Sequence, residues 1–178
     1  YLLADFTRKG YVDGRAARLM TVTVRPGKPN GAASSFFSGI IREPLAGQES
    51  ICPVDDNVSH SVSSPSNTIK CLIAVFEASR EAMQGRMALN LPGLNVTVKE
   101  MLQALEDVAG PAVRQHVTFV RDEHIAGIVA NWAKAGSAQR AASLGLKPDA
   151  SFKEVIKQYI EDCKLPYYPT HALDGLKK

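Results

Sequence analysis

The sequence lacks the features that mark membrane and nucleic-acid-binding proteins. No apolar run is long enough to span a bilayer, and the first residues show no signal-peptide pattern. The net charge is only +3, and the longest basic run is Lys177-Lys178. No basic face with interleaved aromatic residues is present, which argues against a nucleic-acid partner. We therefore expect a cytoplasmic protein with neither a membrane nor a nucleic acid as partner.

Disulfide frameworks and metal motifs are also missing. The three cysteines, Cys52, Cys71 and Cys163, are far apart and form no CxxC pair, so reduced and mostly buried thiols are expected. The histidines are scattered, and no two have the i, i+4 spacing that places two ligands on one helix face. We predict no metal site.

What the sequence does have is the composition of an ordinary globular domain. Its 178 residues are 45% apolar and 22% charged, and this length suffices for a sizeable core. Short strand patterns alternate with helix patterns, which predicts the α/β class. The predicted strands are 18–24, 49–54, 58–62, 87–91 and 117–120, and the predicted helices are 1–9, 34–44, 65–82, 97–109, 122–130, 137–144 and 151–163.

Local signals fix several boundaries of these elements. Gly10 is a natural stop for the first helix, and Ser63–Ser66 caps the helix at 65–82, whose apolar stripe is Ile69, Leu72, Ile73 and Phe76. Thr97 with Glu100, and Ser151 with Glu154, have the spacing of capping boxes, and Asp122 is a third cap. A turn is predicted at 92–95, and an irregular tail after Pro166.

The most informative segment runs from Arg18 to Gly47. It reads as a strand to Val24, a loop with two prolines and two glycines over 25–31, and a helix from about Ser34 towards Pro44. A stiff polar loop between a strand and a helix is how α/β enzymes present a ligand site at the carboxyl end of a strand.

In order and in residues, these elements resemble the C-terminal half of the extended short-chain dehydrogenase/reductases, the family of nucleotide-sugar epimerases, dehydratases and related NAD enzymes. The likeness recurs along almost the whole chain. It is carried by RPGKPNG at 25–31, the helix and strand at 37–54, the helix at 63–77, the segment NLPGLNVT at 90–97 through Gly110, and the closing segment at 138–161. The resemblance implies a Rossmann-type fold with a small substrate-binding α/β subdomain.

Four shorter segments narrow the resemblance. DGR at 13–15, RPGKPN at 25–30, AASSF at 32–36 and REPL at 42–45 together resemble the D-erythronate dehydrogenase-type members of the family. Those members oxidise a small four-carbon hydroxy acid with NAD. The resemblance implies NAD as cofactor, a small hydroxy acid as substrate and a homodimer for the intact enzyme.

The family's catalytic pair, a Tyr followed four residues later by a Lys, is not found. Asp5 follows Tyr1 at that spacing and Arg15 follows Tyr11, and Tyr159 and Tyr167 fail as well. The glycine-rich phosphate turn is also missing. By the resemblance, both features lie upstream of Tyr1, so we predict no catalytic residue here and no NAD turnover by this chain alone.

The resemblance also divides the chain. Residues 1–31 correspond to the end of the dinucleotide-binding domain, and residues 32–178 mainly to the substrate-binding subdomain. The helix at about 65–82 and the strand at 87–91 would return to the Rossmann sheet. The NAD-binding residues would be Pro26, Gly27, Lys28 and Pro29. Without the resemblance, an ordinary strand-to-helix connection is the favoured explanation of these four residues, because Pro-Gly loops are common.

For the substrate, the resemblance points to Asn30, Ser34, Ser35 and Arg42. Short polar side chains at a helix start could hold hydroxyl groups of a polyol acid, although serines there often only cap the helix. We expect one of the two serines to cap and the other to face the ligand. Arg42 could bind a carboxylate in a bidentate manner. Its alternatives are a solvated helix face or an ion pair with Glu43 or Asp55.

Two other functions stay open at this point. One is a nucleotide-sugar epimerase or dehydratase, although no pattern for reading uracil or diphosphate is visible. The other is a non-catalytic interaction module derived from the family, which would bind a protein through a sheet edge or the first helix. His60 and Trp132 are assigned structural roles, and Ser63 and Ser64 a capping role.

Overall fold

A computed structural model describes residues 1–133 and 137–177. The predicted α/β class is confirmed: short strands, most of them paired in parallel, alternate with helices. The strands are β1 Ala16–Arg18, β2 Thr21–Val22, β3 Ser50–Cys52, β4 Ser59–Ser63, β5 Ala88–Asn90, β6 Leu94–Thr97 and β7 Val117–Phe119. The helices are α1 Leu2–Arg8, α2 Ser35–Leu45, α3 Pro65–Glu77, α4 Val98–Ala109, α5 Pro111–Arg114, α6 Glu123–Ala130, α7 Gln139–Ser143 and α8 Phe152–Asp162, with a 3-10 turn at Asp174–Lys177.

The strands form three small sheets. β1 pairs in parallel with β5, and β3 in parallel with β7. In the third sheet, β4 lies between β2, to which it is parallel, and β6, to which it is antiparallel. The single strand predicted over 18–24 is therefore wrong. The chain forms two short strands there because β1 pairs with β5, whereas β2 pairs with β4 in a different sheet.

The turn predicted at 92–95 is wrong. Leu94 and Asn95 belong to β6, where they pair with Val62 and Ser61 of β4. Gly93, just before, is needed for packing, because a Cβ there would overlap the Ser61 hydroxyl and the Met20 side chain. Antiparallel pairing with a distant strand thus overrides the local turn signal.

Predicted helix ends are mostly confirmed. Thr97 and Glu100 form the full capping box of α4, and the Asp122 side chain accepts hydrogen bonds from two backbone N–H groups at the start of α6. At α8 the Ser151 hydroxyl accepts from the Glu154 N–H at 3.3 Å, and the reciprocal bond is not formed. α3 ends at Glu77, earlier than predicted, because Ala78 turns to an extended conformation and its carbonyl accepts from Arg15.

Two separate cores hold these elements together. The large core is formed by α2, α4, α8 and the sheets of β3 and β4, and its fully buried side chains include Phe37, Ile40, Leu105 and Ile156. The small core lies between α3, α7, β1 and β5, and its members include Cys71, Val75 and Leu89. All three cysteines are buried and unpaired, as predicted.

The apolar stripe predicted for α3 is present but does not face a core. Ile69, Ile73 and Phe76 are 57%, 51% and 78% exposed, while Thr68, Cys71 and Val75 are buried. In the described part of the chain no helix has the length and apolar character needed to cross a membrane. The division into a dinucleotide-binding and a substrate-binding part stays a prediction.

Candidate functional site

The 25–33 loop is anchored at its first residue. Just before it, Thr23 is fully buried, and its hydroxyl donates to the Phe37 carbonyl oxygen at 3.1 Å. The Ser38 hydroxyl oxygen lies 3.2 Å from the same Thr23 hydroxyl and accepts from the Arg25 N–H at 3.1 Å. The chain leaving β2 is thereby bonded to the buried side of α2, and this fixes where the loop begins.

Arg42, further along α2, also bonds to the first residue of the loop. Its side chain is buried, its Nη1 donates to the Arg25 carbonyl oxygen at 2.9 Å, and its Nη2 donates to Glu43 Oε1 at 2.5 Å. Of the three possibilities raised by the sequence, the ion pair with Glu43 is present. The role of Arg42 towards a substrate carboxylate stays a prediction.

Beyond Arg25 the loop is open. Residues 26–32 are exposed, and the backbone N–H groups of Gly27 and Lys28 form no hydrogen bond with any described residue. Gly27 has a φ of +107°, which strains any residue with a side chain. The loop therefore combines an anchored first residue with exposed backbone amide groups, and its role in binding a cofactor stays a prediction.

The start of α2 corrects one expectation. Ser34 occupies the N-cap position, but neither serine caps the helix through its side chain. Ser34 has helical dihedral angles, φ −79° and ψ −5°, whereas a capping side chain needs an extended backbone. The Ser35 hydroxyl instead accepts from the Asn30 N–H at 3.2 Å, and Asn30 Oδ1 accepts from the Ala32 N–H at 3.0 Å. These bonds close the loop onto the helix start.

Seven of the eight predicted site residues border three hollows rather than one, and Pro26 lines none of these three. Pro29, Asn30 and Ser35 line an open cleft of about 850 Å³. Gly27, Lys28, Pro29 and Arg42 line a cavity of about 250 Å³ whose opposite wall comes from α8 and the C-terminal tail. Ser34 borders a third hollow, of about 360 Å³, next to His60 and Trp132. Pro29 belongs to the first two hollows, so the loop separates them.

The cleft contains groups that sequence reasoning missed. Glu43 of α2 and Ser50 of β3 contribute to its lining, together with Arg121 and His124 near the start of α6. Arg121 is about half exposed and is paired with Asp55 and Glu123. The Asp122 cap signal marks the helix start beside them, but only the β3–β7 pairing brings that start to α2.

His60 has the structural role that was predicted for it. Its ring stacks on Phe37 with centroids 4.8 Å apart, lies 5.3 Å from the Trp132 ring, and its Nε2 is 2.6 Å from the Thr21 hydroxyl. Burial lowers the pKa of His60 below its ordinary value of 6.5. The imidazole is therefore held neutral in the folded protein at neutral pH.

Tyr159 borders the smaller cavity but is not suited to proton transfer. Burial, followed by its contact with Cys163, raises the pKa of the Tyr159 phenol far above its ordinary value. Burial likewise raises the pKa of the Cys163 thiol. Both groups stay protonated near neutral pH, in agreement with the failure of Tyr159 to match the family's catalytic pair.

Known proteins resemble this chain closely over part of their length. No protein-family model matches. The chain is 49% identical over 164 residues to D-erythronate dehydrogenase of Cupriavidus necator, a match that covers 92% of the chain and 51% of that protein. The D-erythronate dehydrogenase of Haemophilus influenzae is 44% identical over 160 residues, again with 51% of its length covered. The chain spans about half the length of the curated relatives it matches.

Solved structures agree with the fold. The crystal structure of the nucleoside-diphosphate-sugar epimerase from Agrobacterium tumefaciens superposes with a TM-score of 0.86 at 42% identity, covering 90% of this chain and 47% of that one. L-threonine 3-dehydrogenase from Trypanosoma brucei gives 0.79 at 19% identity, covering 94% and 52%, which shows the fold alone.

The sequence and fold similarities confirm the predicted resemblance to the C-terminal half of the extended short-chain dehydrogenase/reductase family. Within that family it is similar to the D-erythronate dehydrogenases, over about half of their length. These findings leave the individual cofactor and substrate residues as predictions.

Proposed function

We propose that this chain forms the substrate-binding wall and the nicotinamide-facing loop of an NAD-dependent dehydrogenase that oxidises D-erythronate. The observation that carries the proposal is the 49% identity to a D-erythronate dehydrogenase over 92% of the chain. The anchored, open loop at residues 26–29 supports it, because a rigid loop can offer backbone groups to a cofactor without an ordering cost.

Bound NAD would accept a hydride from the hydroxyl-bearing carbon of the substrate. The chain's own residues would orient the reactants. The amide groups of Gly27 and Lys28 would meet the carboxamide, while Arg42 keeps their loop in place from below. Asn30 and Ser35 would face substrate hydroxyls from the cleft. The substrate carboxylate needs a cation, and Arg42 on one side of the loop and Arg121 on the other are the candidates.

Proton abstraction would come from outside this chain. No Tyr-x-x-x-Lys pair occurs in the 178 residues, and Tyr159 is held protonated. We therefore expect the isolated chain to give no NADH from D-erythronate and NAD. Turnover by the purified chain would refute this part of the proposal.

Two surface features support the presence of further protein in the working enzyme. The parallel pair of β1 and β5 is only two strands wide, whereas parallel sheets are normally wider and covered on both faces. Next to it, α3 exposes Ile69, Ile73 and Phe76. We propose that a Rossmann half covers this apolar face in the complete enzyme.

A chimera tests the proposal directly. In it, this chain replaces the matching half of the C. necator enzyme, so that the relative supplies the remaining half. We expect NADH formation with D-erythronate as substrate. A chimera that folds and binds NAD but leaves D-erythronate unchanged contradicts the proposed activity.

Two loop glycines supply a matched pair for the same assay. Both Gly27 and Gly31 are exposed with open space around them, and of the two only Gly27 has a positive φ. Gly27→Val should distort the loop and raise the KM for NAD, whereas Gly31→Val should leave it nearly unchanged. Equal effects would show that the loop does not hold the cofactor.

One observation favours a second function. The structure with a TM-score of 0.86 is named a nucleoside-diphosphate-sugar epimerase, and its identity of 42% is close to that of the dehydrogenases. Offering the chimera a nucleoside-diphosphate sugar in place of D-erythronate separates the two activities. Epimerised sugar without net NADH would favour this alternative.

The non-catalytic module remains the alternative from another class. It predicts that the purified chain is a monomer with one cooperative melting transition, and that an exposed sheet edge or the α1 helix binds a protein partner. Size-exclusion chromatography and a melting curve test it. Self-association through the exposed face of α3 supports the enzyme-half proposal instead.

A further inference from the structure

Glu43 has an oxygen atom with no partner. The residue lies in the third turn of α2 and is only 8% exposed. Its Oε1 accepts from Arg42, but Oε2 is buried and has no hydrogen bond to any described residue. A buried carboxylate oxygen without a donor is costly, so its retention calls for an explanation.

A glycine leaves a hollow beside this oxygen. Gly39 precedes Glu43 by one helical turn and so lies on the same face of α2. A Cβ on Gly39 would lie 3.5 Å from Glu43 Oε2 and 3.7 Å from Ser50 Oγ. The Ser50 hydroxyl forms no hydrogen bond with a described residue. All three residues line the large cleft, in the same wall as Asn30 and Ser35.

The side chains that line the hollow favour a ligand group that donates a hydrogen bond. Arg42 is permanently charged and is paired with the Glu43 carboxylate, whose oxygens accept hydrogen bonds and repel anions. Ser50 can both donate and accept. A hydroxyl group can donate to Glu43 and accept from Ser50, whereas an ionised carboxylate or phosphate can only accept. The hollow thus suits the hydroxyl-bearing end of a small ligand and not its acidic end.

We propose that Glu43 is a specificity-determining residue, which accepts a hydrogen bond from a hydroxyl of a polyhydroxy ligand seated against Gly39, with Ser50 as the second partner. The Glu43 carboxylate turns about its last, soft torsion to meet the donor. The choice of D-erythronate as ligand rests on the proposed function, but the preference for a hydroxyl rests on the hollow alone.

The test uses the purified 178-residue chain and two acids. D-erythronate carries hydroxyl groups, and butyrate is a four-carbon acid without any. Binding is followed by NMR titration of the backbone amides of α2 and β3. We expect D-erythronate to bind the wild-type chain at least about tenfold more tightly than butyrate, since hydrogen bonds to charged groups are among the stronger ones.

Two variants address the hollow itself. Glu43→Gln keeps the side-chain shape but replaces one acceptor by a donor, and Gly39→Ala fills the hollow. Each should weaken D-erythronate binding about tenfold or more and leave butyrate binding unchanged. The added Cβ of Gly39→Ala makes only ordinary contacts, and alanine favours helix, so its melting temperature should not fall. Glu161→Gln, on the exposed side of α8, is the matched control and should bind like wild type.

Three results would overturn the inference. They are equal binding of the two acids to wild type, no binding of either, and unchanged D-erythronate binding in both Glu43→Gln and Gly39→Ala. The chimera separates this from the proposed function. If it oxidises D-erythronate with the same KM after Glu43→Gln, the function stands and the inference fails. If the chain binds D-erythronate through Glu43 and the chimera is inactive, the inference stands and the function fails.

Discussion

The two cores of this chain differ in how completely they cover their own apolar side chains. In the large core, Phe37 and Ile40 of α2 are 0% exposed. Beside the small core, Phe76 and Ile73 of α3 are 78% and 51% exposed. The same residue types, in helices of similar length, thus have opposite surroundings.

The difference shows which part of the chain is structurally self-sufficient. The large core carries the loop at 25–33, the Arg42–Glu43 pair and the cleft, so the candidate site rests on a complete support. The small core joins the two-stranded sheet to α3 and presents an apolar face outwards. The candidate site and the exposed apolar face of α3 are thus located on different cores.

The largest expected effect compares two phenylalanines. Phe37→Ala removes a fully buried ring and should lower the free energy of unfolding by about 3–5 kcal/mol. Phe76→Ala removes an exposed ring and should change it by less than about 0.5 kcal/mol. Urea unfolding of the purified chain measures both. Similar losses would mean that α3 is covered in solution and that the contrast between the cores is wrong.

A smaller effect is expected at the start of α3, where Asp149 from a distant loop holds Ser64, the N-cap residue of the helix. The Asp149 carboxylate accepts from the Ser64 N–H at 2.9 Å and from its hydroxyl at 2.6 Å. Asp149→Ala should therefore lower the free energy of unfolding by about 1–2 kcal/mol. Asp56→Ala serves as the control, because Asp56 lies in an exposed turn. Its backbone carbonyl accepts from the Lys99 N–H, and its side chain forms no hydrogen bond with a described residue. Equal melting of the two variants would show that this cap contributes nothing.

The third prediction concerns pH and the large core. Burial lowers the pKa of His60 below 6.5, so the unfolded chain binds its proton first on acidification. The contribution of His60 to the free energy of unfolding is fully present above pH 6.5. It decreases as the pH falls from 6.5 towards the pKa of His60 in the folded protein. Denaturant midpoints across this range, followed by the fluorescence of Trp132, the single tryptophan, measure the slope. His60→Gln should reduce this dependence of the midpoint on pH. His124→Gln, at an exposed position, should leave it unchanged.

The smallest effect has the opposite sign. Gly39→Ala should raise the free energy of unfolding by about 0.5–1 kcal/mol, because alanine restricts the unfolded chain and favours helix. The added Cβ meets its nearest neighbour at 3.5 Å, an ordinary contact. Thermal melting of the variant beside wild type checks this. A clear loss of stability would mean that the space around Gly39 is tighter than the structure has it.

Local sequence signals predicted the ends of elements better than their partners. The Thr97 box and the Asp122 cap were correct because each needs only residues two or three apart. The strand at 18–24 and the turn at 92–95 were wrong, because strand pairing joins residues far apart in the chain. The exposed side of α3 was missed for a related reason: a helical stripe shows which face is apolar, but not what covers it.

The candidate site likewise has one part that the sequence predicted and one part that it did not. The loop at 26–29 and the polar start of α2 were visible in the sequence, because proline, glycine and serine are locally distinctive. Arg42 was visible too, with Glu43 named as one possible partner. The Gly39 hollow with Ser50 and the nearby Arg121 were not, because they meet only through the packing of α2 against β3 and the pairing of β3 with β7.

The sequence by itself determined the α/β class, the family resemblance and the stiff loop between a strand and a helix. These depend on composition, on short spacings and on matched segments. Only the tertiary structure decided that Arg42 bonds to Glu43 and to the Arg25 carbonyl, that the predicted site residues border separate hollows, and that the apolar stripe of α3 is exposed. Each of these depends on which distant side chains come within a few ångströms, and chain order does not specify that.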